Sequence, residues 1–129
     1  MKVAYVDTSC LVAIAFAERG ASTLSRRMAQ FDQLLAANLL DAEIRSVFAR
    51  EQVVADARML PALSRIIPDR LLDDEIDRVL AAGHVRGAGC WHLAVALYVA
   101  PAPGTITFLT LDGRQRTVAR KLGFRLAPE

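Results

Sequence analysis

The chain has 129 residues, of which 53% are hydrophobic and 23% charged, and its 16 basic and 14 acidic side chains leave a formal net charge of +2. This length and apolar content predict one folded domain over residues 1–129 rather than a disordered chain, and the charge excess is too mild to mark a nucleic-acid binder by composition. The longest apolar runs stop well short of the roughly 18 residues of a membrane span, and the N-terminus enters a strand pattern without a signal peptide, so a cytoplasmic protein with no membrane partner is expected.

Residues 3–6 (VAYV) form a short apolar run rich in β-formers, the pattern of a central parallel strand covered on both faces. Asp7 ends it, at the C-terminal edge where open α/β sheets bind ligands. Thr8 or Ser9 is expected to cap the following helix through its hydroxyl, and Leu11, Val12, Ile14 and Ala15 supply that helix's apolar surface. Asp7 also admits a purely structural role, as the cap that turns the chain. After the polar break Glu18-Arg19-Gly20, residues 21–30 read as a second helix with Leu24 and Met28 inward and Arg26 and Arg27 outward. Residues 33–37 (QLLAA) read as a second buried strand, and Asn38 is placed to cap a helix in which Leu40, Ile44, Val47 and Phe48 keep helical spacing. Glu43 lies among these apolar positions rather than on the charged face.

Residues 52–60 and 61–66 read as helical, with Pro61 in a tolerated first-turn position, and residues 66–72, interrupted by Pro68, are at best a short or edge strand. In residues 73–82 (DDEIDRVLAA) four acids fall within five positions. They are read as a helix start: Asp73 caps, Asp74 and Glu75 complement the dipole, and Ile76, Val79 and Leu80 face the core. Gly83 stops that helix, residues 84–89 form a connector, and residues 90–100 (CWHLAVALYVA) make a largely buried helix. Cys10 and Cys90 both sit in apolar helical surroundings and are expected as reduced core thiols. Residues 105–111 (TITFLTL) are the clearest strand, delivering Asp112 at its end as the first strand delivers Asp7. A basic helix over residues 114–122 follows, Gly123 closes it, and residues 124–126 add a last short strand.

Two strand-end aspartates and one glutamate on an apolar helix face are costly for a structural core unless a cation neutralises them. Oxygen-only ligands select hard ions such as Mg²⁺ or Mn²⁺. The alternative for Glu43 is a pairing with an arginine such as Arg45, or an exit to solvent.

The ordered series VDTS at 6–9, LLDAEIRSVF at 39–48, RGAGCWHLAVAL at 86–97 and FLTLDGR at 108–114 resembles a PIN-domain ribonuclease of the VapC toxin type, over essentially the whole chain. The resemblance implies a three-layer α/β/α domain with a central parallel sheet, a homodimer, an acidic cluster binding Mg²⁺ or Mn²⁺ that cuts single-stranded or loop RNA, and a small antitoxin protein that blocks the site. On that pattern Asp7, Glu43 and Asp112 match three of four acidic positions as metal ligands and catalytic groups, with Thr8 and Ser9 supporting them. Arg114, Arg116, Arg120 and Lys121 are expected to hold RNA phosphates. Gly89 stands where the family carries an aspartate, so a binding module that has lost cleavage is the competing expectation. His92 is expected to be a hydrogen-bonded helix residue that supports the fold, and His84 is assigned no role.

Overall fold

The computed structural model describes residues 1–54, 56 and 60–128. Along these residues the chain forms β1 (Val3–Val6), α1 (Thr8–Ala15), α2 (Ala21–Met28), β2 (Gln33–Ala37), α3 (Leu39–Arg50), β3 (Ser64–Ile66), α4 (Asp73–Ala82), α5 (Gly87–Val99), a 3-10 turn (Pro103–Thr105), β4 (Thr107–Leu109), α6 (Gly113–Leu122) and β5 (Arg125–Leu126). The strands make one parallel sheet in the order β3-β2-β1-β4-β5, with Tyr5 of β1 in register with Leu35 of β2 and Phe108 of β4. The strand order reverses at the centre: the chain leaves β1 toward β2 and β3, then crosses back to β4 on the other side. That switch point opens a crevice beyond the carboxyl ends of β1 and β4.

Side-chain alternation along each strand divides the core in two. Ala4, Val6, Leu34, Ala36 and Leu109 pack on one face against Leu11 of α1, Met28 of α2 and Leu40, Ile44 and Phe48 of α3. Tyr5, Leu35, Ala37 and Phe108 pack on the other against Val79 of α4, the apolar length of α5 and Val118 and Leu122 of α6. The result is the three-layer α/β/α architecture expected from the sequence, with a central parallel sheet. Because α5 lies between the sheet and its neighbouring helices, it is apolar nearly all round, and His92 through Leu97 are buried. Among the described residues no helix is long and apolar enough to cross a membrane.

Several local expectations are corrected. The expected helix over residues 52–60 falls partly on 55 and 57–59, which lie outside the described residues; α3 itself ends at Arg50, with Gln52 at φ 55°. Residues 61–66 are not a helix, since Ser64–Ile66 form edge strand β3, paired with Leu35–Ala37 of β2. Two prolines bracket a run too short to show periodicity, and the open edge of β2 decides its state. The buried helix begins at Gly87, three residues before the expected start, so the connector shrinks to residues 84–86. The last clear strand is trimmed to Thr107–Leu109 because Pro103–Thr105 form the 3-10 turn. Leu72, not Asp73, occupies the cap position of α4, and Leu80 is 48% exposed rather than in the core. Asn38 makes no capping side-chain bond.

Candidate functional site

The helix after β1 is capped by Asp7 itself, not by Thr8 or Ser9. Its Oδ2 accepts the Ser9 backbone N–H at 3.1 Å. That frees both hydroxyls for other work. Ser9 Oγ accepts the Leu111 N–H at 3.1 Å, tying the corner after β1 to the corner after β4. The Thr8 hydroxyl donates to Glu43 Oε1 at 2.8 Å, bringing α3 to the same corner. Capping and facing a cleft are therefore not alternatives for Asp7: one oxygen caps, and the other is turned toward neighbours from α5 and α6.

Glu43 is held from a second side by His92, whose Nε2 lies 2.6 Å from Glu43 Oε1 and 3.8 Å from Asp7 Oδ1. His92 is buried, and its Nδ1 lies 2.8 Å from the Tyr5 hydroxyl. Because an ionised carboxylate can only accept, Nε2 carries a hydrogen toward Glu43, and Nδ1 pairs with the Tyr5 hydroxyl. Burial, reinforced by the Asp7 charge, raises the Tyr5 pKa well above the ordinary tyrosine value, which keeps the phenol a donor. The chain Tyr5–His92–Glu43 thus runs from the core to the cleft. Burial pushes the Glu43 carboxyl upward, but the hydrogen bonds from His92 and Thr8 outweigh it and hold its pKa below the usual glutamate value. Its Oε2 takes no hydrogen bond from the described residues. His92 therefore has the supporting role expected of it, and it also reaches two of the cleft's acids, Glu43 and Asp7.

Asp112 caps α6, its Oδ1 accepting the Gln115 N–H at 2.9 Å. The spacing Asp112-Gly113-Arg114-Gln115 is that of a capping box, in which the Gln side chain would reach back to the cap residue's own N–H. Here Thr110 takes that N–H at 3.0 Å, and the Gln115 side chain goes elsewhere. Its Oε1 accepts the Thr110 hydroxyl at 2.6 Å, and its Nε2 donates to Asp7 Oδ1 at 3.2 Å and to the Gly89 carbonyl at 3.3 Å. A buried carboxamide therefore joins Thr110, Asp7 and Gly89, while the backbone N–H of the same residue holds Asp112. Gly89 itself has ordinary helical backbone in the first turn of α5; a Cβ built there would meet Gln115 Nε2 and Val85 Cβ at 3.7 Å, ordinary contact.

These groups line an open cleft of about 630 Å³ at the switch point, bounded by Asp7, Glu43, His92, Asp112, Gln115 and Gly89, with His84, Arg86 and Arg114 at its rim. Three acids separated by more than 100 residues of chain meet at one cleft. Among the described residues, no group of three or more His, Cys, Asp or Glu side chains is arranged to hold a metal ion directly. The donor chemistry still fits a hydrated divalent ion, because Mg²⁺ takes oxygen ligands, keeps several waters and binds through one or two carboxylates plus substrate phosphate rather than in an all-protein cage. Asp7 and Glu43 share one neighbour, His92 Nε2, at 3.8 and 2.6 Å, and the exposed Asp112 lines the same cleft.

The four basic residues expected on α6 do not line one cavity. Arg114 lines the cleft, and Lys121 lies further along the same side. Arg116 points to the opposite side of the helix, where it donates to the Ala127 carbonyl at 2.6 Å, and Arg120 does not line the cleft. The sequence reading missed Gln115, Thr110, Arg86 and His84; only Gln115 left a signal, its capping-box spacing. Cys10 and Cys90 are buried free thiols, and burial, with the Asp7 charge adding to it, pushes Cys10 up to about 12, so neither is a nucleophile for this cleft. No protein-family model matches the chain, and no curated protein matches it significantly.

Proposed function

We propose that this chain is a metal-dependent endoribonuclease of the PIN-like type, cutting single-stranded or loop RNA as the toxin of a toxin–antitoxin pair. The observation that carries the catalytic part is the convergence of Asp7, Glu43 and Asp112 on one cleft at the sheet's switch point. The toxin setting, the antitoxin partner and the homodimer rest on the sequence resemblance alone. Asp7 and Glu43 would hold Mg²⁺ or Mn²⁺, with Asp112 joining through water. When bound, such an ion polarises a scissile phosphate and lowers the pKa of a coordinated water. The protein's own contribution is orientation. Thr8 and His92 fix one oxygen of Glu43 and leave the other available; Ser9 N–H and Gln115 fix Asp7; Arg114 at the rim offers a guanidinium to a phosphate oxygen.

A second reading is favoured by one observation: at the fourth acidic position Gly89 offers only a backbone carbonyl, and a neutral amide, Gln115, faces it. A module that binds RNA or an antitoxin without cutting would look the same. Incubating the purified chain with a labelled single-stranded RNA separates the two. Cleavage that requires Mn²⁺, stops with EDTA and falls by at least 100-fold in Asp7→Asn supports the nuclease; uncut RNA under every metal condition supports the binding module.

A further inference from the structure

A second cavity, of about 400 Å³, opens beside the acidic cleft and shares His84 and Arg114 with it. Its remaining walls are Gly83, Gly113, Thr117, Val118 and Lys121, so its lining holds cations and no carboxylate. The cations at the two openings are uncommitted: among the described residues the side chains of Arg86, Arg114 and Lys121 make no ion pair or hydrogen bond, whereas those of Arg65 and Arg70 are paired with Asp41 and Glu75. Arg27 and Arg116, on the other side of Asp112, are bonded to the Pro128 and Ala127 carbonyls, so the uncommitted cations beside the acids set a direction for an anionic chain, whose reacting phosphate would lie at the acids and whose neighbours would lie along those cations. The second cavity's walls carry no Phe, Tyr or Trp, and their one ring, the His84 imidazole, stands at the boundary with the acidic cleft, so beyond it the cavity suits backbone phosphates rather than a stacked base.

We propose that single-stranded RNA leaves the acidic cleft across the connector between α4 and α5, passing His84 and Arg86, and continues over Arg114 to Lys121, rather than running along α6 to Arg120. This track rests on the ribonuclease reading for its choice of RNA, but its existence is a matter of binding, not of cleavage. Each cation that contacts a phosphate contributes about 0.7 to the slope of log affinity against log salt for a single strand.

The test measures fluorescence anisotropy of a labelled single-stranded RNA of about 15 nucleotides, within the span of a single-strand binding groove, across a salt series in EDTA so that nothing is cut. Arg86→Ala and Lys121→Ala should each lower the slope by about 0.7 and the double variant by about 1.4, with unchanged melting temperatures because both side chains are exposed and make no hydrogen bond or ion pair. Arg120→Ala and Arg125→Ala should leave it unchanged. The track is overturned if the double variant keeps the wild-type slope, if the wild type does not bind the RNA, or if polyglutamate displaces the RNA at equal charge, which would assign the surface to an acidic protein. A lowered slope in a chain that cuts nothing with Mn²⁺ sustains the track and removes the nuclease reading. An unchanged slope in a chain that does cut removes the track alone.

Discussion

Gly89→Asp tests whether the site is a four-acid cleft with one corner missing. The backbone at Gly89 is helical rather than left-handed, and an added Cβ meets its nearest neighbours at 3.7 Å, so the substitution carries neither backbone strain nor a clash. The first turn of α5 holds no acidic residue, and a carboxylate there gains about 0.3–1 kcal/mol from the helix dipole. The new charge would face Gln115 Nε2, a donor already directed at Asp7 and the Gly89 carbonyl, so part of its repulsion with Asp7 is offset. Opposite unit charges about 4 Å apart attract by roughly 4 kcal/mol at an effective dielectric near 20. Even after most of that is cancelled by lost hydration, a gain of about 1.4 kcal/mol, or tenfold in Mn²⁺ affinity, is expected. At metal concentrations far above both dissociation constants the same gain raises the melting temperature by about 5 °C more than in the wild type. Calorimetric titration with Mn²⁺ and thermal melts with and without metal read both quantities. A variant that melts normally and binds Mn²⁺ no more tightly than the wild type would show that Gly89 does not stand at a ligand position.

Three further outcomes follow from the hydrogen-bond network. Tyr5→Phe leaves the buried His92 Nδ1 without its donor and should cost about 1–3 kcal/mol in urea denaturation; a loss below 0.5 kcal/mol would mean that the phenol does not support the imidazole. Gln115→Ala removes one buried amide from Thr110, Asp7 and Gly89 at once and should cost a similar amount, about 1–3 kcal/mol, while Gln115→Leu, which keeps the volume, should not restore it. Because the folded Glu43 pKa lies below its ordinary 4.5, the folded state binds fewer protons there than the unfolded chain; its stabilisation is complete above pH 4.5 and is lost as pH falls through the lower folded value. Melting curves of the wild type and Glu43→Gln should therefore converge on acidification below pH 4.5; parallel curves would remove the His92 and Thr8 bonds as the cause of the shift.

The layers and the three acids were legible in the sequence because each had a local signature. Strand β1 runs directly into Asp7, β4 lies in an apolar run that reaches Asp112 three residues after the strand ends, and Glu43 breaks the charge pattern of an otherwise periodic helix. The start of α5 was not legible, because Gly-Ala-Gly has weak helix propensity and only packing against the sheet and α4 decides it. Strand β3 was hidden for the same reason: three residues carry no measurable period, and the partner that makes them a strand is β2, nearly thirty residues earlier. The division of labour on α6 was equally invisible, since the sequence shows four cations on one helix but not that Arg116 is turned to the Ala127 carbonyl while Arg114 faces the cleft. Gln115 is the instructive case. Its spacing from Asp112 was readable as a cap, but its side chain answers to Asp7, more than 100 residues away.

The most direct test of the central claim is anomalous diffraction from crystals soaked in Mn²⁺. A peak in the cleft at about 2.0–2.2 Å from an oxygen of Asp7 and an oxygen of Glu43, the distances expected of a hard cation on carboxylate ligands, and absent from crystals of Asp7→Asn, is the predicted result. Mn²⁺ peaks only elsewhere on the protein, or a cleft peak that survives in Asp7→Asn at full height, would contradict it.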